Sequence, residues 1–145
     1  MNISDILRHK QKTDAASAIT IAPSDSVTAL LDSLAVHNIG AVVAVEGGRP
    51  VGIVSERDIV RRIAERGRDV LDATVDSIMT RDVVSCGSGD SVDSIAETMT
   101  ERRIRHMPVI DGDVLVGIVS IGDVVSSRMR QLEHDRGQLE QYISG

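Results

Sequence analysis

The chain has 145 residues, 16 basic against 22 acidic for a net charge of −6, and 41% of its residues are apolar. Such a chain is long enough for one compact domain or two fused small units, and no apolar run approaches the roughly 18 residues a membrane span needs. The single Cys86 excludes an intrachain disulfide and cannot alone hold structural zinc, and one aromatic residue, Tyr142, leaves no stacking platform for nucleic acid. The segment from Met1 to Lys12 places its basic residues after its apolar ones, unlike a secretory signal, so a cytoplasmic protein is expected, with neither nucleic acid nor membrane as partner.

The lead segment Ile3-Ser4-Asp5-Ile6-Leu7 is repeated at a displacement of 72 as Val75-Asp76-Ser77-Ile78-Met79, and a connection around Arg8 to Ser17 is expected to be a loop. From there the sequence falls on itself at a displacement of 65 without a gap, Asp25-Ser26-Val27 on Asp90-Ser91-Val92 and Val51 to Ser55 on Val116 to Ser120. Each copy is expected to read strand, helix, strand, strand, helix. After Ser24-Asp25-Ser26, whose side chains suit a helix start, Val27, Leu30, Leu31 and Leu34 recur at helical spacing, as do Val92, Ile95, Ala96 and Met99. Gly40 is placed to end the first helix, and Ala41 to Val45 is a short β-branched strand. Glu46-Gly47-Gly48-Arg49 and Asp111-Gly112-Asp113 read as hairpin turns, and Val51 to Ser55 as a strand buried on both faces. The second helices begin after Ser55 and Ser120, with Ile59, Val60, Ile63 and Val124, Val125 as their apolar stripes. Ser126 to Gly145 continues the last helix with Met129, Leu132, Leu139 and Ile143, an amphipathic tail expected at a dimer contact.

Gly52-Ile53-Val54-Ser55-Glu56-Arg57-Asp58 and Gly117-Ile118-Val119-Ser120-Ile121-Gly122-Asp123 share a Gly-hydrophobic-hydrophobic-Ser-x-x-Asp pattern. It resembles the signature of cystathionine β-synthase (CBS) domains, and Arg103 to Val109 is similar to the strand-entry motif of stand-alone bacterial members. The resemblance implies an α/β (α+β) protein of two CBS repeats, a Bateman module, each a small three-stranded sheet with two helices, about a pseudo-two-fold axis. Residues 1–73 would form the first repeat with its N-terminal helix and loop, and 74–145 the second with its helical tail. A homodimer is the family expectation.

A Ser at a strand end that opens a helix puts a hydroxyl beside helix N–H groups, a seat for phosphate oxygens, and an Asp one turn on can accept both hydroxyls of a ribose. Ser55 with Asp58 and Ser120 with Asp123 therefore read as ribose-phosphate clamps, although either Asp alone would be an ordinary first-turn acid. The resemblance adds apolar slots for a base: Ile19, Thr20, Ile21 with Gly40, Ala41, Val42, and Val83, Val84, Ser85 with Arg105, His106, Met107, Pro108. Arg57 stands in the first motif where the second has Gly122, and Arg105-His106 stands where the first copy has Gly40-Ala41, so these cations are expected to converge on shared phosphates. Arg61, Arg62, Arg66 and Arg68 read as a solvated face. His9, His37 and His134 read as surface residues, Cys86 as a half-buried or buried strand residue, and Met79, Met99 and Met107 as core.

No catalytic constellation or metal cluster is visible, so no enzyme and no required cofactor are expected. The reading is a regulatory module that binds AMP, ADP, ATP or NAD between its repeats and signals to a protein target. The alternative is a structural or interaction module with empty clefts acting through its dimer surface; a nucleotide hydrolase is the third, weakest class.

Overall fold

Helix α1, Ile3–Thr13, opens the chain in the computed structural model, which describes residues 1–13 and 19–144. The helix continues through Arg8 to Thr13, where no Gly or Pro interrupts it, so the expected loop is helical in its first part; 14–17 lie outside the described residues. Strand β1 (Thr20–Ile21) pairs parallel with β2 (Ala41–Glu46), and β2 pairs antiparallel with β3 (Arg49–Ser55). Helix α2 (Val27–His37) joins β1 to β2, and α3 (Glu56–Arg66) leaves β3 directly. Two 3-10 turns, Arg68–Asp72 and Val75–Ser77, lead to α4 (Val92–Arg102), β4 (His106–Asp111), β5 (Val114–Ser120) and α5 (Ile121–Ser144).

The second sheet has two strands, and its counterpart of β1 is reduced to one parallel bridge, Cys86 to Val109. Cys86 N–H donates to Pro108 O at 3.0 Å and Ile110 N–H to Cys86 O at 2.8 Å. The next rung upstream would need an N–H from Pro108, which has none, so Val83 to Ser85 stays outside the ladder. In the first copy Val43 holds that position, and the ladder extends to Thr20.

Ser26 and Ser91 cap α2 and α4 by accepting the Ala29 and Ser94 N–H groups. Helix α2 ends on Asn38 rather than Gly40: Asn38 takes the left-handed conformation at φ 52°, as Arg103 does after α4 at φ 55°. Asn tolerates that conformation better than most side chains, so no glycine is needed there. Both hairpins turn on glycines with positive φ, Gly47 and Gly48 in one and Gly112 in the other. Each sheet carries a bulge at the same repeat position, Ala44/Val45 and Val109/Ile110.

Val27, Leu30 and Leu34 are buried, with Leu31 at the margin; Val92, Ile95 and Met99 are buried, with Ala96 partly so. On the later helices Ile59 and Val124 are buried but Val60 and Val125 are exposed, because successive helical positions lie about 100° apart. Strand β3 is likewise one-sided. Gly52 and Val54 face the core, whereas Ile53 and Ser55 are half-buried on the other face, as Ile118 and Ser120 are in β5. Those two strands meet across the middle of the molecule, bringing both strand ends to the same region.

Among the described residues there are two apolar cores, and each is completed by the segment that leads the other repeat. Ile3 and Ile6 of α1, assigned by sequence order to the first repeat, lie with Val92, Ile95, Met99 and Val119 in the second core. Val75, Ile78 and Met79, which open the second repeat, lie with Val27, Leu30 and Val54 in the first. The backbone bonds match pairwise: Ile3 N–H donates to Asp90 O at 2.9 Å and Val92 N–H to Met1 O at 3.2 Å. On the other side Val75 N–H donates to Asp25 O at 2.8 Å and Val27 N–H to Ala73 O at 2.9 Å.

Candidate functional site

The two Ser-x-x-Asp motifs sit where β3 meets α3 and β5 meets α5. Ser55 N–H and Oγ both donate to Asp58 Oδ2, at 2.9 and 3.0 Å, and Asp58 N–H donates back to Ser55 Oγ at 3.3 Å. Ser120 N–H donates to Asp123 Oδ2 at 2.8 Å and Asp123 N–H to Ser120 Oγ at 3.1 Å. Each motif is thus a capping box that satisfies donors at a helix start. This corrects the expectation of bare N–H groups beside a ready hydroxyl, since Glu56 N–H is also taken by Gly40 O at 3.0 Å and Ile121 N–H by Arg105 O at 2.8 Å. In the first motif both Ser55 bonds fall on Oδ2.

A cavity of about 570 Å³ opens at this first motif. Gly40, Ala41, Ile53, Ser55, Arg57 and Asp58 line it from the first repeat, and Val83, Val84, Arg105 and His106 from the second, so both repeats contribute to one site. Glu56 lines it too, with Thr80, Asp82 and Ile104. Four guanidinium-bearing residues surround it: Arg57, Arg61, Arg103 and Arg105. The sequence reads Arg61 as part of a solvated face and Arg103 only as part of the strand-entry motif, yet both line the cavity; Arg61 follows Arg57 by four positions and so shares its helix face. Val60, exposed rather than core, lies at the same cavity.

Other slot residues lie elsewhere. Ile21 and Val42 are buried in the first core and Met107 in the second, because strand side chains alternate and Ala41 and His106 are the ones turned to the cavity. Pro108 is buried with its carbonyl bonded to Cys86, Ile19 packs against the first core, and Thr20 and Ser85 are exposed outside the cavity lining. Ser120 and Asp123 lie at the second motif, where Lys10 Nζ of α1 donates to Asp123 Oδ2 at 3.0 Å and to Ile118 O at 2.9 Å.

His106 stands beside Gly40 so closely that a Cβ on Gly40 would lie 3.1 Å from its Nε2. Burial pushes the imidazole below its ordinary pKa of 6.5, against the opposing pull of Asp123 and Glu56. Among the described residues no group of three or more His, Cys, Asp or Glu could hold a metal ion, and no helix is long and apolar enough to cross a membrane.

Fold and site together define a tandem α/β repeat protein with a cationic cleft built jointly by its two halves. The chain belongs to the CBS domain family, whose model matches residues 3–65 and 75–130. It is similar to a mitochondrial CBS domain-containing protein of Arabidopsis thaliana, CBSX3, at 34% identity over 99% of this chain and 72% of the relative. Among solved structures it resembles the CBS-domain protein ATU1752 of Agrobacterium tumefaciens, with a TM-score of 0.81, 37% identity, and coverage of 88% of this chain and 99% of that one. It also resembles the CBS domain pair of MJ0100, solved in complex with 5′-methylthioadenosine and S-adenosyl-L-methionine, with a TM-score of 0.76, 28% identity, and coverage of 92% and 98%.

Proposed function

We propose that the chain is a non-enzymatic regulatory module that binds a phosphate-bearing adenosine ligand, AMP, ADP, ATP or NAD, at the first cleft. The observation that carries this reading is the cavity of about 570 Å³ in which Asp58 and four arginines converge from two repeats. That volume is within the range of small-ligand sites. The Asp58 carboxylate offers an acceptor for ribose hydroxyls, Val83, Val84 and Ile104 offer an apolar wall for a base, and the guanidiniums offset phosphate charge. Adenosyl ligands in the related MJ0100 pair support the ligand class. The arginines here favour an anionic phosphate over a cationic sulfonium. A ligand that touches both repeats would favour one relative orientation of them, by as much as its affinities for the two states differ. The same reading makes the chain a cytoplasmic homodimer that signals to a protein partner; the dimer is supported by the exposed Met129, Leu132, Leu139 and Ile143 along α5.

The test is a thermal-shift panel followed by calorimetry with AMP, ADP, ATP, NAD and S-adenosylmethionine. Ligand at about 100 times its Kd adds about 2.7 kcal/mol of stability, a shift of several degrees. The shift is expected with phosphate-bearing ligands and is lost in Asp58→Asn, which keeps an acceptor for the Ser55 cap, and weakened in the double variant Arg57→Ala, Arg105→Ala. A panel without any shift would transfer the function to the α5 surface.

A further inference from the structure

The two clefts are related by the repeat but are not filled alike. Leu7 and Met79 hold matching places, since a Cβ on Gly117 would lie 2.7 Å from Leu7 Cδ2 and one on Gly52 would lie 2.6 Å from Met79 Sδ. Three residues beyond them, Lys10 lies on α1 and Asp82 in the bend that follows the second 3-10 turn. At the first cleft Asp82 lines the open cavity, and the Ile53 carbonyl is taken by the Thr80 N–H at 2.8 Å. At the second, the matching Ile118 carbonyl is taken by the Lys10 ammonium, which also reaches Asp123. Lys10 and Asp123 are mostly covered, their side chains 33% and 21% exposed.

The surrounding cations differ in the same sense. Arg57, Arg61 and Arg103 of the first cleft correspond to Gly122, Ser126 and Asn38 at the second. The second cleft thus lacks three guanidiniums suited to phosphate, while the carboxylate suited to ribose already holds an ammonium from its own chain.

We propose that Lys10 is a built-in occupant of the second cleft, which keeps Asp123 from ribose hydroxyls and makes the chain a one-nucleotide module. The inference rests on the nucleotide reading of the first cleft and adds to it that the second admits a ribose only when the Lys10 contact is given up. A ribose entering there must displace a two-point contact made by a charged donor, stronger than a neutral hydrogen bond. Lys10→Met keeps the apolar stem of the side chain and removes the charge.

The experiment is calorimetric titration of AMP into the full chain as wild type, Lys10→Met, Asp58→Asn, and the double variant Lys10→Met, Asp58→Asn. Wild type is expected to take one AMP per chain, lost in Asp58→Asn. Lys10→Met is expected to add a second event, about tenfold or more tighter than any residual second-site binding in wild type, and this event persists in the double variant. Adding Asp123→Asn to that double variant removes it. Two equal events in wild type, or a single unchanged event in Lys10→Met, would overturn the inference while leaving the first-cleft reading intact. No AMP bound by any variant would overturn both.

Discussion

Truncating Ile6 to alanine should weaken the second repeat even though Ile6 lies in the first by sequence order. Ile6 is 1% exposed and lies in the core formed with Val92, Ile95 and Met99. The change removes three carbons, worth about 0.8 kcal/mol each, or about 2.4 kcal/mol in transfer. A residual void of some tens of Å³, at about 24 cal/mol per Å³, adds about 1 kcal/mol. The expected loss is thus about 3 kcal/mol, which lowers Tm by about 10 °C in a chain of this size. Urea unfolding measures the total, and amide hydrogen exchange locates it: protection should fall first in α4, β4 and β5, with α2 and β2 less affected. Val36→Ala, at a side chain 77% exposed, is the control and should change stability by no more than about 0.5 kcal/mol. A loss under about 1 kcal/mol for Ile6→Ala, or protection lost mainly in α2 and β2, would refute the assignment of α1 to the second core.

Two further outcomes test the packing and the thiol. Gly52→Ala and Gly117→Ala both intrude on an exchanged segment, but the new methyl at 52 also meets the Thr80 carbonyl oxygen at 3.0 Å, whereas at 117 it meets only the flexible end of Leu7. Urea midpoints should therefore show the larger loss at 52, within the roughly 1–3 kcal/mol typical of overpacking; equal losses would contradict the geometry. Burial, with lesser help from Asp90 and Asp111, pushes the Cys86 thiol up to about 11. It should resist a thiol reagent at pH 8 until the chain is unfolded, and because the folded state holds the proton more tightly, stability should fall as pH rises from about 9 towards about 11. Rapid labelling of native protein at pH 8 would contradict the burial.

Much of the fold was legible because the repeat carries its own internal check: each helical stripe and hairpin turn occurs twice. Where the two copies diverge, single residues explain the difference, as Pro108 does for the missing strand. Periodicity does not distinguish adjacent apolar residues on a helix, which is why Val60 and Val125 read as core. Nor does chain order say which core a lead segment joins. Residues at the first cleft were legible from the Ser-x-x-Asp spacing, with Arg61 recoverable from its place one turn after Arg57. The Lys10 contact was not, because Asp123 lies more than a hundred residues away and nothing in the local pattern of α1 marks that lysine among its neighbours.

The exchange of lead segments also shapes how the chain is made. Helix α1 is translated before both repeat sheets, yet the groups that cover Ile3 and Ile6 extend to Val124. That helix is therefore among the last of these elements to find its place, and until β5 is translated it exposes its apolar face. The first repeat closes sooner, once Met79 has been added. A nascent chain halted between these points carries one finished half and one unclasped helix, so ribosome-stage chaperones would meet a specific intermediate rather than a random coil.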